Sequence, residues 1–366
     1  MAAISRHADL TSYSSFKLPA HATRLLKLTT LDQLQSEWVS RADTLILGEG
    51  SNTVFLSDWP GTVVINQLKG VWHEPLGDGV LVRVAAGESW HPFVKYCLDR
   101  GWYGLENLIM IPGSVGAAPM QNIGAYGVEL DTCVHTVTAW DRYEQTWCEF
   151  DRAACAFGYR DSFFKRGGKD RYIITEVAFH LRTTFHPQTH YPSLNNALTE
   201  RLGHTDCDPK TLAATIMRLR RHRLPDPGRL ANAGSFFQNP IVSSDTHHAL
   251  KAQWPELPSW RLDHAMGDNA IGAPQFKLSA AWMIETAGLK GARVGDAGVY
   301  RHHALVLVNF GHATAEDLRQ LIAEIKRAVK DCFGLTLAPE PRLVDGNTAS
   351  AFDAPASAAE PRSGSS

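Results

Sequence analysis

The chain is predicted to fold as an α+β protein of two or three domains, and three observations point there. Helical and extended periods alternate along 366 residues. With 44% of residues hydrophobic and 20% charged, the composition is that of an ordinary globular chain. A proline-rich break, Leu-Pro-Asp-Pro at 224–227, separates a longer N-terminal part from a shorter C-terminal one.

In chain order, Thr30 and Gln33 make a capping box around Leu31, Leu34 and Trp38, which share one helix face, and residues 44–47 read as a buried strand. The first 70 residues are therefore a small α/β unit. Residues 80–85 form a strand, 89–100 a helix closed by Gly101, and 133–140 and 172–181 strands with turn-rich connections between them. Asp208 before Pro209 caps a helix that carries Leu212, Ile216 and Leu219 and ends in Arg-Leu-Arg-Arg-His-Arg at 218–223. Beyond the break, a helix over 279–287, a strand over 304–310 and a helix capped by Thr314 running towards Cys332 build a further unit. From Asn347 the chain is too poor in apolar groups to pack and reads as a disordered tail.

A formal net charge of −2 gives no global attraction to nucleic acid or to an anionic membrane. The six cysteines, Cys97, Cys133, Cys148, Cys155, Cys207 and Cys332, lack C-x-x-C or His-rich spacing, which argues for reduced thiols and against a zinc site. The first ten residues hold no apolar core of a signal peptide, and the longest apolar run, near 304–308, is far short of the ~20 residues that cross a bilayer. A cytoplasmic location is the resulting expectation.

Candidate chemistry lies in a few short segments. Ala-Gly-Ser-Phe-Phe-Gln-Asn-Pro at 233–240 sets Ser235 between a glycine and two rings that exclude water, the surroundings of a positioned proton donor or of a packed turn. Gly-Glu-Gly-Ser-Asn at 48–52 directly follows a strand, so its amides suit a phosphate nest or a hairpin turn; it is neither a Rossmann nor a P-loop fingerprint. Residues 111–127 hold four glycines and two prolines around Val115, Met120, Ile123 and Tyr126, as an ordered loop around a large flat cofactor would. Arg160, in Gly-Tyr-Arg-Asp-Ser at 158–162, either pairs with Asp161 or polarises a carboxylate or flavin oxygen. Glu340 and Arg342 lie two apart, on one face of an extended segment.

Together and in this order, these segments and Leu-Pro-Asp-Pro resemble the UDP-N-acetylenolpyruvoylglucosamine reductase family over about residues 14–345. The resemblance implies an α+β, two-subdomain FAD-binding fold of the vanillyl-alcohol-oxidase type plus a third α/β substrate-binding domain. Its bounds would be 1–70 and 71–225 for the FAD-binding subdomains, the second joined by a strand at 335–346, then 226–334 for the third domain and 347–366 for the tail. It further implies FAD bound non-covalently by Gly48, Gly50, Ser51, Asn52, Gly113, Ser114 and Gly116, with Ile123, Gly124, Gly127 and Arg342 beside the ring system. NADPH is the implied reductant and an enolpyruvyl sugar nucleotide the acceptor, in a ping-pong reaction through one cleft. Arg160 and Glu340 match the residues that stabilise developing negative charge, and Ser235 the acid that protonates the enolate carbon. Tyr191 matches a capping tyrosine on a mobile loop of the larger family type, and Arg223, Asn239 and Lys290 match substrate contacts. Arg223 replaces a common lysine, and Gln238 and His303 are further departures. No metal is implied, and a monomer acting on small molecules, with neither nucleic acid nor membrane as partner, is the family-level expectation. Another flavoenzyme of the same fold, a hydroxy-acid or sugar oxidase, explains the glycine segments but not Arg160, Ser235 and Glu340 together.

Overall fold

The computed structural model describes residues 4–262 and 274–346; the tail expected over 347–366 lies outside them. The N-terminal sheet has four strands in the order Ile4–Asp9, His21–Leu28, Trp59–Asn66 and Thr44–Leu47. The first pair is antiparallel and the others parallel. Leu25, Leu45, Leu47, Val63 and Ile65 bury against Phe55 and Trp59. The helix expected over 31–38 is broken: a 3-10 turn spans Leu31–Gln35, extended Ser36 interrupts, and one turn of α-helix spans Glu37–Ser40. The capping box itself forms, with Gln33 reaching back to the Thr30 amide.

The second sheet is fully antiparallel, in the order Thr146–Asp151, Val134–Asp141, Tyr172–Arg182, Gly79–Ala85 and Val71–Leu76. Helix Trp90–Asp99 lays Trp90, Phe93, Val94 and Cys97 into its core and stops at Gly101, whose φ of +72° suits glycine. Asp208 accepts the Lys210 and Thr211 amides and opens helix Pro209–Arg223 as the sequence predicts.

After the proline break, strands Ala231–Ser235, Val306–Asn309, Ala297–Val299 and Arg293–Val294 make a third sheet. It is covered by helix Ala315–Phe333, whose Leu318, Leu321, Ile322, Ile325, Val329 and Phe333 repeat every three or four residues. Phe16, Leu18 and Val54 from the N-terminal region belong to the same core, so this unit is built onto the first one. The C-terminal segment corrects an expectation. Instead of joining the second region, strand Arg342–Val344 pairs in parallel with Thr53–Phe55 of the first. That pairing carries residues 340–342 to residues 48–52, where the Arg342 amide donates to the Asn52 carbonyl at 2.9 Å.

Candidate functional site

Three distant segments meet at one place. The Glu340 amide donates to the Phe236 carbonyl at 2.8 Å, and the Gln238 amide to the Ala338 carbonyl at 2.9 Å, so the Ser235 segment and the Glu340 segment run side by side. Phe236 and Phe237 are wholly buried and anchor that pairing. Ser235 stands at a register shift between its strand and Val306–Asn309, preceded by Gly234 at φ +70°. An irregularity of this kind re-aims a side chain, and the half-buried Ser235 hydroxyl makes no hydrogen bond to the protein among the described residues.

Arg160 arrives from the second sheet's side. Its Nε lies 3.3 Å from Glu340 Oε1, with the two side chains only 19% and 13% exposed, and its Nη2 donates to the Gly124 carbonyl at 2.8 Å. Asp161, its expected surface partner, pairs with Arg166 instead, at 2.9 Å. Gly124 leaves room for the guanidinium: a Cβ at that position would stand 2.9 Å from Arg160 Nη1 and make it shift. Burial pushes the Glu340 carboxyl above the usual range, against the downward pull of Arg160 and Lys165. The arrangement puts a buried carboxyl beside a guanidinium, on the segment that runs alongside Ser235.

The glycine segments border it. Gly48 abuts Ser114, Gly50 the Tyr13 carbonyl and Gly113 Ser51, each so closely that a Cβ would collide. Among the described residues, the amides of Gly48, Gly50, Ser51 and Asn52 donate to no group of the chain, which leaves a row of donors at the end of strand Thr44–Leu47. Residues 113–116 agree only in part. Val115 and Gly116 spend their amides on the Glu88 and Ala86 carbonyls, leaving Gly113 and Ser114 as donors. Asn52 bridges the Gln121 side chain at 2.7 Å and the Glu340 carbonyl at 3.4 Å. The Ile123 side chain lies in the hydrophobic core, so only its backbone can border a ligand; Gly127, at φ +83°, packs beside Tyr191.

Other predicted residues are already engaged. Arg342 makes a two-pronged pair with Asp170 at 2.7 and 2.8 Å. Asn239 accepts the Ala280 amide at 3.0 Å. Lys290 pairs with Glu285 at 2.7 Å, whereas Arg223, the last residue of its helix, has no carboxylate partner among the described residues. Tyr191 caps helix Pro192–Leu202 and meets the Tyr126 ring edge-to-face at 5.4 Å.

Two participants were not legible in the sequence. Lys277 sits with its Nζ 4.8 Å from the Tyr159 ring, its pKa lowered by burial against the pull of Glu129. Asp170 has neighbours that lie 28 and 172 positions away, Arg142 on its carbonyl and Arg342 on its carboxylate. Neither residue falls within a motif; hydrophobic alternation in Gln275–Leu278 was the only available cue for Lys277.

The family described as UDP-N-acetylenolpyruvoylglucosamine reductase, C-terminal domain, matches residues 226–344, and the family described as FAD binding domain matches residues 26–145. A UDP-N-acetylenolpyruvoylglucosamine reductase of Idiomarina loihiensis is 43% identical over 92% of this chain and 96% of its own length. That of Dechloromonas aromatica is 39% identical over 92% of this chain and 98% of its own. Among solved structures, the UDP-N-acetylenolpyruvylglucosamine reductase of Thermus caldophilus superposes with a TM-score of 0.63 at 24% identity, covering 94% of this chain and 99% of that one, a likeness of fold.

Proposed function

Since the chain belongs to the UDP-N-acetylenolpyruvoylglucosamine reductase family, we propose that the place where Arg160, Ser235 and Glu340 meet is where its reaction occurs. The protein is an FAD-dependent oxidoreductase of peptidoglycan precursor synthesis, reducing UDP-N-acetylglucosamine enolpyruvate to UDP-N-acetylmuramate at the expense of NADPH. The observation that carries the site assignment is the Arg160–Glu340 contact at 3.3 Å, beside the backbone bond that brings Ser235 to it.

The chain's residues fit FAD at the pyrophosphate. The free amides of Gly48, Gly50, Ser51 and Asn52, joined by those of Gly113 and Ser114, form a cradle that suits a doubly charged diphosphate. When bound, FAD supplies hydride transfer from NADPH to the enolpyruvyl double bond. Gly116 holds the cradle's shape from behind, while Gly124 and Gly127, with the Ile123 backbone, border the ring system. Arg342 spends two of its five N–H donors on Asp170 and keeps the rest for the cofactor.

Arg160 holds the substrate carboxylate and the negative charge that develops next to it. Glu340, whose pKa burial raises, faces the same carboxylate and donates to it in its protonated form. Ser235 gives its proton to the enolate carbon; that carbon is a strong base, so a hydroxyl placed within ~3 Å needs no acidic pKa. Arg223 and Lys290 hold the diphosphate, with Asn239 and a closing Tyr191 beside it, the arrangement of the larger family type. We take the bounds 1–70, 71–225 and 226–334 as the domains, with 335–346 assigned to the first on its strand pairing. The protein is a monomer that works on small molecules in the cytoplasm, where NADPH and nucleotide sugars are made.

A stopped-flow absorbance trace tests this. NADPH should bleach the flavin band of the FAD-loaded protein, and UDP-N-acetylglucosamine enolpyruvate should restore it. Rapid recovery with oxygen alone, and none with the sugar nucleotide, would place the chain with the oxidases.

A further inference from the structure

A second feature adjoins the proposed diphosphate residues. A cleft of about 390 Å³ is lined by Leu230, Gly291 and the turn Tyr300–Arg301–His302, together with Arg293 and Phe310. It begins where the diphosphate residues end: Gly291 follows Lys290 in the chain, and His302 precedes His303, a partly buried imidazole within reach of the charges of Arg223 and Lys290.

The walls suit a nucleoside and a further anion. Phe310 is 43% exposed, with the Arg293 guanidinium over its ring at 4.0 Å. The Arg293 charge is answered by Asp296 at 2.9 Å. The exposed Arg301 differs. Its Nε donates to His302 Nε2 at 3.1 Å, and among the described residues it has no carboxylate partner. An arginine fork lacking a carboxylate, beside an imidazole and an aromatic wall, suits a phosphate monoester attached to a nucleoside.

The two substrates that take turns in this protein differ at that point. The nucleoside of the sugar nucleotide carries no charged group beyond its diphosphate, whereas the adenosine of NADPH carries a 2′-phosphate. We propose that Arg301, with His302 beside it, binds the 2′-phosphate of NADPH and thereby sets the preference for NADPH over NADH. This rests on the assignment of Arg223 and Lys290 to the diphosphate; the cleft then lies one nucleoside further on.

Single-turnover flavin reduction by NADPH and by NADH tests it in the FAD-loaded protein, comparing wild type, Arg301→Ala and Arg301→Lys. Arg301→Ala should lower the second-order rate constant with NADPH about tenfold or more, as expected for a lost contact to a charged group. The constant with NADH, and reoxidation by the sugar nucleotide, should stay within about twofold, and Arg301→Lys should recover part of the loss. Calorimetry with 2′,5′-ADP should show the same weakening without turnover. An equal loss with NADPH and NADH, or no loss with NADPH, overturns the inference and leaves the assigned reaction standing. Failure of the wild type to be bleached by NADPH removes both.

Discussion

Ser235 and Glu340 reach one place by opposite physical means. Among the described residues the serine side chain makes no hydrogen bond, at a break in strand register, while the glutamate is wrapped in protein beside Arg160. Burial is the largest influence on Glu340 and favours its neutral form, so the protonated fraction persists above the ordinary glutamate range and falls as pH rises through the raised value. Reoxidation of the reduced enzyme by substrate should therefore slow on the alkaline side of that titration. Glu340→Gln, neutral at every pH, should flatten that limb in a pH series of single turnovers. An unchanged alkaline limb in the variant would assign it to another group. The Arg160–Glu340 pair was legible only as two segments, because nothing local says that position 160 meets position 340.

At the scale of elements, the irregular strand Ala231–Ser235 is what aims the hydroxyl. Asn232 fastens it, donating to the Pro225 and Leu230 carbonyls at 3.2 and 2.8 Å and accepting the Gly234 amide at 2.9 Å. Gly234 itself has open space around a hypothetical Cβ, so only its left-handed backbone resists substitution. Gly234→Ala should cost about 1–2 kcal/mol of unfolding free energy in a denaturant titration. A variant as stable as wild type would mean that the left-handed conformation carries no strain. Caps of the long helices, Asp208 and Thr314, could be read directly, since capping is local chemistry. The 3-10 turns and the pairing of Arg342–Val344 with Thr53–Phe55 could not, because both are decided by tertiary contact. For the same reason, the loss of two loop amides to Ala86 and Glu88 was invisible in the glycine pattern.

Across the whole molecule, buried Arg142 ties the first two sheets together. Its guanidinium donates to the Thr44 and Asp170 carbonyls, both at 3.0 Å, and to that of Arg41. Asp170 in turn holds Arg342 beside the proposed cofactor cradle. Arg142→Met would strip the donor from three carbonyls, each worth about 1–3 kcal/mol when left unsatisfied in the interior. We expect a loss of about 3 kcal/mol or more by denaturant titration, with faster release of FAD on dilution. Retention of both stability and flavin would show that the two sheets are held by their cores alone. This linkage was not legible in advance, since Arg142 sits in an undistinguished turn and its partners are 28 to 101 positions distant.

In the proposed reaction the third unit delivers a proton donor to a site built by the other two. The most direct test of this is Ser235→Ala followed through the two half-reactions separately. Flavin reduction by NADPH should remain within about twofold of wild type, while reoxidation by UDP-N-acetylglucosamine enolpyruvate should slow by about 10² to 10⁴, the usual contribution of a positioned proton donor. Equal slowing of both half-reactions, or of neither, would contradict it.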